Sequence, residues 1–196
     1  FEHKSRAIFD SIAHSHPTIK MRFFGHSRNR NGAAARNTGL FAATGEFVSF
    51  LDDDDVYLPG RLTKCIQQLR QEPKSIGAVY CGFVGWNSPK NNPERYATGD
   101  LTTAILSLDY HQHYLCSNTA TYRRSSLLSI NGYDESFQRH QDLEFNLRFF
   151  ERFAVGVVKE VLVHLCPTPS GVDNRVFNVE MVHLKEKFFS KFAHQI

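Results

Sequence analysis

Residues 46–51 (EFVSFL) constrain the fold more than any other part of this sequence. Side chains alternate along an extended backbone, so Val48 and Phe50 lie on one face, and Phe47 and Leu51 lie on the other. A strand that is apolar on both faces is typical of a central strand covered by helices on both sides. This segment therefore predicts an α/β domain built on a parallel sheet.

Helical and strand patterns alternate along the rest of the chain, which favours the same class. Helices are predicted at residues 5–14, 32–45, from Pro59 onward, 101–108, 125–130 and 139–153. Strands are predicted at residues 19–24, 46–51, 76–86 and 117–124, and a late strand or hairpin at residues 155–165. We expect one domain over residues 1–175, followed by an amphipathic helix within residues 176–196 that packs on it.

Composition excludes several classes of protein. The net charge of +3 is too small to favour a nucleic-acid partner. The four cysteines contain no Cys-x-x-Cys pair, which favours a reducing, cytoplasmic setting. No apolar run approaches the ~20 residues of a membrane span, and no signal-peptide pattern opens the sequence. A peripheral contact with the inner face of a membrane stays open through Lys185, Lys187 and Lys191 of the last helix.

Four consecutive aspartates follow the apolar strand directly. Ligands bind at the carboxyl ends of strands in open α/β sheets, so this position indicates a binding site. On extended backbone Asp52 and Asp54 would point to one side, where two carboxylates suit Mg²⁺ or Mn²⁺ held together with substrate phosphates. A calcium loop of the EF-hand type is excluded, because its sixth and twelfth positions would be Tyr57 and Thr63. A solvated turn in which Asp55 caps the next helix remains the alternative.

A second acid lies on the inward side of a predicted helix. At 100° per residue over residues 139–153, Asp142 shares a face with Phe145, whereas Glu144 and Arg148 fall on the opposite, outer face. Asp142 is also in the first helical turn, where the helix dipole favours an anion. This position suits a general base, although a capping role or a pair with a buried arginine would also explain it.

Two separated stretches resemble the family 2 glycosyltransferases of the GT-A fold. GAAARNTGLFAATGEFVSFLDDDDVYLPGRL is similar to the family core. The matching positions are Gly32, Ala35-Arg36-Asn37, Gly45-Glu46, Asp52 to Asp55, Pro59 and Arg61-Leu62. GYDESFQRHQDLEFNLRFF is similar to the family's Gly-(Phe/Tyr)-Asp-Glu turn and its acidic helix. The resemblance covers most of residues 20–165.

The resemblance implies a GT-A-like (Rossmann-like), mostly parallel sheet flanked by helices. It also implies a metal-dependent, inverting transferase that uses Mn²⁺ or Mg²⁺. The donor would be a UDP- or GDP-linked sugar and the acceptor a glycan or lipid-linked saccharide, in the synthesis of a surface polysaccharide. Residues 1–31 hold no Asp-Gly-Ser motif, so we expect the family's first strand and nucleobase-reading portion to be missing.

The resemblance also assigns roles to single residues. Asp52 and Asp54 would form the Asp-x-Asp motif, with the shares of Asp53 and Asp55 left open. Nucleotide-sugar binding is implied for Arg36, Asp52 and Asp53. Metal binding is implied for Asp52, Asp54, Asp55 and the late histidine His164, which could equally be a histidine at the sheet margin.

The implied base is Asp142, which would deprotonate the acceptor hydroxyl. The family's Glu-Asp pair is Gln141-Asp142 here, so the base is kept and a neighbouring charge is lost. Trp86 is a candidate sugar platform, and the basic loop at residues 26–32 is a candidate phosphate contact. An inactive glycan-binding or scaffolding module and a sugar nucleotidyltransferase remain alternatives, the second without its glycine-rich phosphate loop.

Overall fold

A computed structural model of the chain describes residues 2–85, 95–107, 113–166 and 179–195. Its helices are α1 (Glu2–Ser15), α2 (Gly32–Ala42), α3 (Arg61–Gln71), α4 (Thr102–Leu106), α5 (Arg124–Ser129), α6 (Gln141–Phe150) and α7 (Val179–Phe192). Its strands are β1 (Phe47–Ser49), β2 (Val56–Tyr57), β3 (Ile76–Gly85), β4 (Ala120–Arg123) and β5 (Ala154–Leu165). Trp86 and the loop after it lie outside the described residues.

The five strands form one sheet in the order β1-β4-β3-β5-β2. Only β3 and β5 run parallel; β1 with β4, β4 with β3 and β2 with β5 are antiparallel. The α/β class is therefore correct, but the expected mostly parallel pairing is wrong. The strands β1, β3 and β5 share one direction, whereas β4 runs opposite to both of its neighbours and β2 runs opposite to β5.

Each face of the sheet carries its own apolar core. On one face an aromatic cluster packs under α6, with the Tyr122 ring 5.6 Å from the rings of both Phe145 and Phe149. On the other face α3 places Cys65 and Leu69 against the sheet, and both are fully buried. The expected covering of both faces by helices is thus observed.

Two strand predictions near the start of the chain do not hold as stated. Residues 19–24 form no strand in the described structure, and Ile19 and Phe24 are 58% and 52% exposed. Apolar side chains predict burial, but a strand also needs a hydrogen-bonded neighbour, and none of the described strands pairs with this segment. The predicted central strand at residues 46–51 shortens to β1, which lies at the edge of the described sheet.

The outer face predicted for the helix at residues 139–153 is also wrong. Glu144 of α6 is 0% exposed and accepts hydrogen bonds from Arg148, with Arg148 Nη2 2.8 Å from Glu144 Oε2. Arg148 also donates to the carbonyl groups of Ile130 and Gly132 at 2.6 and 2.8 Å. A helical wheel assumes a single buried face, whereas α6 is covered by the sheet on one side and by residues 130–137 on another.

Helix α7 packs on this same region. Phe188 and Phe192 are 9% and 1% exposed and belong to the main core. Lys187 donates to Ser136 Oγ at 2.6 Å, and Lys191 donates to both Asp134 and Glu144 at 2.8 Å. Two of the three lysines for which a membrane contact stays open therefore bond within the domain. In the described part of the chain, no helix combines the length and the apolar character that crossing a bilayer requires.

The contact between α7 and Asp134 predicts an acid-sensitive fold. Burial alone would raise the pKa of Asp134, but hydrogen bonds from Lys191 and Ser136 outweigh it and hold the pKa below its ordinary 3.8. The carboxylate therefore stabilises the fold above about pH 4, and this contribution is lost as the pH falls further. Urea unfolding at a series of pH values should show that wild type loses more stability than Asp134→Asn between neutral pH and about pH 3. The same acid dependence in both proteins would contradict this.

Candidate active site

The four aspartates form a turn. The Asp55 N–H donates to the Asp52 carbonyl at 3.2 Å, so the extended alternation expected for Asp52 and Asp54 is wrong. The turn brings Asp52 and Asp55 together instead, because Asn118 Nδ2 donates to Asp52 Oδ2 at 3.3 Å and also to Asp55 Oδ2. The Cys166 N–H, just after β5, donates to Asp55 Oδ1 at 2.9 Å.

The sheet register explains why Asn118 reaches this turn. β1 and β4 are antiparallel with Ser49 opposite Thr121, so the end of β1 and the start of β4 lie at the same edge of the sheet. The chain after β1 carries Asp52, and the chain before β4 carries Asn118. The Asn118 side chain also accepts the Asp52 N–H at 3.0 Å, which fixes the turn from its backbone as well.

Negative charge accumulates in this turn. Asp53 and Asp54 are exposed and bond to none of the described residues. The pKa of Asp55 is raised, mainly by burial and further by the charges of Asp54 and Asp52. A cation beside the turn would relieve this repulsion, since an opposite charge favours the ionised carboxylates.

Arg36 of α2 supplies one positive charge to the turn. Its Nη2 lies 2.8 and 3.1 Å from the two carboxylate oxygens of Asp52. Burial alone would lower the pKa of Arg36, but the negative potential of Tyr133, Asp142 and Asp52 raises it. Gly32 makes room for the guanidinium, because a Cβ there would lie 3.0 Å from Arg36 Nη1.

Asp142 lies in the first turn of α6, as expected from the helix predicted at residues 139–153. Its Oδ1 accepts a hydrogen bond from Ser117 Oγ at 2.6 Å. Ser117 Oγ is also 3.1 Å from the hydroxyl of Tyr133, whose pKa is raised by burial and by the charge of Asp142. Because Ser117 precedes Asn118, adjacent residues hold Asp142 and the aspartate turn.

A buried arginine holds the backbone that follows Ser117. Arg61 of α3 is 1% exposed and donates to Thr119 O at 2.6 Å, Thr121 Oγ1 at 2.7 Å and Asn118 O at 3.4 Å. Its guanidinium carbon also lies 4.9 Å from the centre of the Tyr57 ring. Arg61 thus fixes the backbone that leads into β4.

His164 lies near the turn but on the exposed side of β5. It is opposite Val56 in the antiparallel pair of β2 with β5. No three His, Cys, Asp or Glu side chains converge on a metal position anywhere in the described residues. The role predicted for His164 therefore stays a prediction.

The basic loop at residues 26–32 is bonded to its own domain. Arg30 Nη2 is 2.6 Å from Glu135 Oε2, and His26 Nε2 is 2.8 Å from Thr38 Oγ1. These contacts show how the loop is held and leave its predicted phosphate contact untested.

Sequence reasoning missed Ser117 and Asn118. The available signal was a pair of small polar residues just before a buried strand, at a strand end where ligands bind. Using it would have required the antiparallel register of β4 with β1, which no local pattern supplies.

A comparison with known families decides the classification. Residues 3–130 match the family Glycosyl transferase family 2, which is more than half of the chain. The chain belongs to glycosyl transferase family 2. The match ends before Asp142, so the family domain as matched contains the aspartate turn, Arg36 and Asn118 but not the second acid.

This family 2 domain is similar in sequence to curated proteins and in structure to solved glycosyltransferases. It is 26% identical over 147 residues to the O-antigen biosynthesis protein RfbC of Myxococcus xanthus, covering 74% of this chain and 11% of that protein. The structure of Staphylococcus aureus TarS 1-349 in complex with UDP has a TM-score of 0.62 and 19% identity, over 81% of this chain and 47% of that one. The mannosyltransferase PcManGT of Pyrobaculum calidifontis, in complex with GDP-Man and Mn²⁺, has a TM-score of 0.59 and 18% identity, over 95% of this chain and 49% of that one. These structures confirm the GT-A-like fold, and this chain spans less than half of each.

Proposed function

We propose that this family 2 domain is a metal-dependent, inverting glycosyltransferase. It transfers a sugar from a UDP- or GDP-linked donor to a hydroxyl of a glycan or lipid-linked saccharide, in the synthesis of a surface polysaccharide. One observation carries the proposal: Ser117 bonds to Asp142, and its neighbour Asn118 bonds to Asp52 and Asp55. The aspartate turn and Asp142 are therefore taken as two parts of one site.

The aspartate turn is assigned to the donor. Mg²⁺ and Mn²⁺ are commonly held by one or two carboxylates together with substrate phosphates, so a protein cage of three ligands is not required. Asp54 fits such a ligand because it is exposed and not bonded to any described residue, and Asp55 and His164 are further candidates. When bound, the metal would neutralise charge on the departing diphosphate.

Arg36, Asp52 and Asp53 are assigned to the nucleotide sugar. The ion pair of Arg36 with Asp52 places a cation and a hydrogen-bond acceptor side by side. A guanidinium suits phosphate oxygens, and a carboxylate suits the hydroxyl groups of ribose. Exposed Asp53 lies next to Asp52 and completes this side of the site.

Asp142 is assigned as the general base. Ser117 engages its Oδ1, whereas no described residue donates a hydrogen bond to Oδ2. In this assignment the second oxygen accepts the proton of the acceptor hydroxyl as the hydroxyl attacks the sugar. A single base and a single displacement invert the configuration of the sugar carbon, as the family resemblance implies.

The relatives support the donor class and the pathway class. TarS has been solved with UDP, and PcManGT with GDP-Man and Mn²⁺. RfbC is named for O-antigen biosynthesis. By analogy we infer a nucleotide-diphosphate sugar as donor, Mn²⁺ or Mg²⁺ as cofactor and a surface polysaccharide as product.

Calorimetry tests the donor side of the site. Titration of the chain with UDP and GDP, with and without Mn²⁺, should show that Mn²⁺ strengthens the binding of one nucleotide. Asp54→Asn should weaken that metal-dependent binding by about tenfold or more, because it removes a ligand charge. The matched control is Asp10→Asn on α1, where a 59% exposed side chain pairs with Arg6. Absence of metal-dependent binding to either nucleotide would contradict the proposal, and binding without any sugar transfer would favour the inactive module.

A further inference from the structure

Ser117 and Asn118 connect two parts of the candidate site. Both are buried, at 5% and 6% exposure, just before β4. Ser117 Oγ contacts Asp142 Oδ1 at 2.6 Å. Asn118 uses its amide oxygen for the Asp52 N–H and its amide nitrogen for the carboxylates of Asp52 and Asp55.

The backbone of these two residues is held on several sides. Arg61 donates to the carbonyl groups of Asn118 and Thr119. The Thr119 hydroxyl donates to Tyr114 O at 2.7 Å and accepts from the Cys116 N–H at 2.9 Å. A short segment with this many buried bonds keeps its side chains in one orientation, as an element that positions reacting groups requires.

We propose that Ser117 and Asn118 are positioning residues that set the two halves of the site relative to each other. Ser117 orients the carboxylate of Asp142, and Asn118 orients the aspartate turn. The proposal rests on the proposed function, because it assigns a base to one half and donor binding to the other. Neither residue is assigned a contact with the reacting atoms.

The side chains present suit these two tasks. Ser117 lies between the Tyr133 hydroxyl and Asp142, so it can accept a hydrogen bond from the tyrosine while donating its own proton to the carboxylate. Asn118 meets an N–H on one side and carboxylates on the other, which only a group with both an acceptor and a donor can satisfy. A carboxylate in its place would repel Asp52 and Asp55.

Paired substitutions separate the two roles when kcat and the affinity for Mn²⁺ and nucleotide are measured independently. Ser117→Ala should lower kcat for transfer from the preferred donor by about tenfold through misplacement of Asp142, with the affinity for Mn²⁺ and UDP or GDP unchanged. Ser117→Thr keeps the hydroxyl and should restore most of kcat. Asn118→Ala should instead weaken Mn²⁺-dependent nucleotide binding by about tenfold. Ser129→Ala, at the end of α5, is the control and should change neither quantity.

An activity-independent measurement decides the orientation of Asp142. Scalar couplings of the Asp142 side chain, measured by NMR, should report one rotamer in wild type and in Ser117→Thr, and averaging over several in Ser117→Ala. One unchanged rotamer in Ser117→Ala, or equal losses of kcat and nucleotide affinity in both alanine variants, would overturn the proposal. If wild type neither binds nucleotide nor transfers sugar, the proposed function fails, whereas the couplings still decide whether Ser117 orients Asp142.

Discussion

Replacement of Asp142 by asparagine is expected to lower kcat for sugar transfer by about 10²–10⁴-fold. The asparagine is nearly isosteric and can still accept the hydrogen bond from Ser117, but it cannot accept a proton from the acceptor hydroxyl. The affinity for Mn²⁺ and nucleotide should stay close to that of wild type, because Asn118 and not Asp142 contacts the aspartate turn. Initial rates of donor consumption with saturating acceptor measure the first effect, and calorimetry measures the second.

A control on the same helix separates loss of the base from general damage to α6. Glu151 follows the last turn of α6, and its 42% exposed side chain places Oε1 3.2 Å from His194 Nε2. Glu151→Gln should therefore keep full activity. Transfer that survives Asp142→Asn would refute the assignment of Asp142 as the base while leaving the donor site untouched.

Replacement of Arg61 by methionine is expected to lower the free energy of unfolding by about 3 kcal/mol. Methionine fills part of the same volume, but Asn118 O, Thr119 O and Thr121 Oγ1 lose their donor in a buried setting. Unsatisfied buried acceptors cost more than the net value of the hydrogen bonds themselves. Urea unfolding, followed by far-ultraviolet circular dichroism, measures the change.

Arg70→Met is the matched control for this change in the same helix. The side chain of Arg70 is 64% exposed, and its ion pair with Glu46 spans 3.8 Å. Such an exposed pair contributes about 1 kcal/mol or less, so this variant should be nearly as stable as wild type. Equal destabilisation by both substitutions would contradict the special contribution of the buried Arg61 hydrogen bonds.

Local sequence patterns predict individual helices and strands more reliably than the pairing of strands in the sheet. Periodicity predicts the helices around Cys65 and Asp142, because their apolar side chains repeat at short separation, and a continuous apolar run predicts the strand observed as β3. The mostly parallel pairing expected from the sequence is wrong because strand pairing depends on contacts such as Ser49 Oγ with Thr121 Oγ1, 72 residues apart. For the same reason the helical wheel predicts Glu144 on the outer face of its helix, although Glu144 is bonded to Lys191 of α7, 47 residues away.

By itself the sequence determined the α/β class, the family and the types of residue in the site. Those properties reside in short motifs, such as the aspartate run with Arg36 and the acid at Asp142, which can be read without knowing what lies beside them. Only the tertiary structure decided that the aspartates turn rather than extend, and that Asn118 and Ser117 bind the two acidic parts together. The antiparallel register of β4 with β1 creates those contacts, and pairing between distant strands is set by packing of the whole sheet and not by any local pattern.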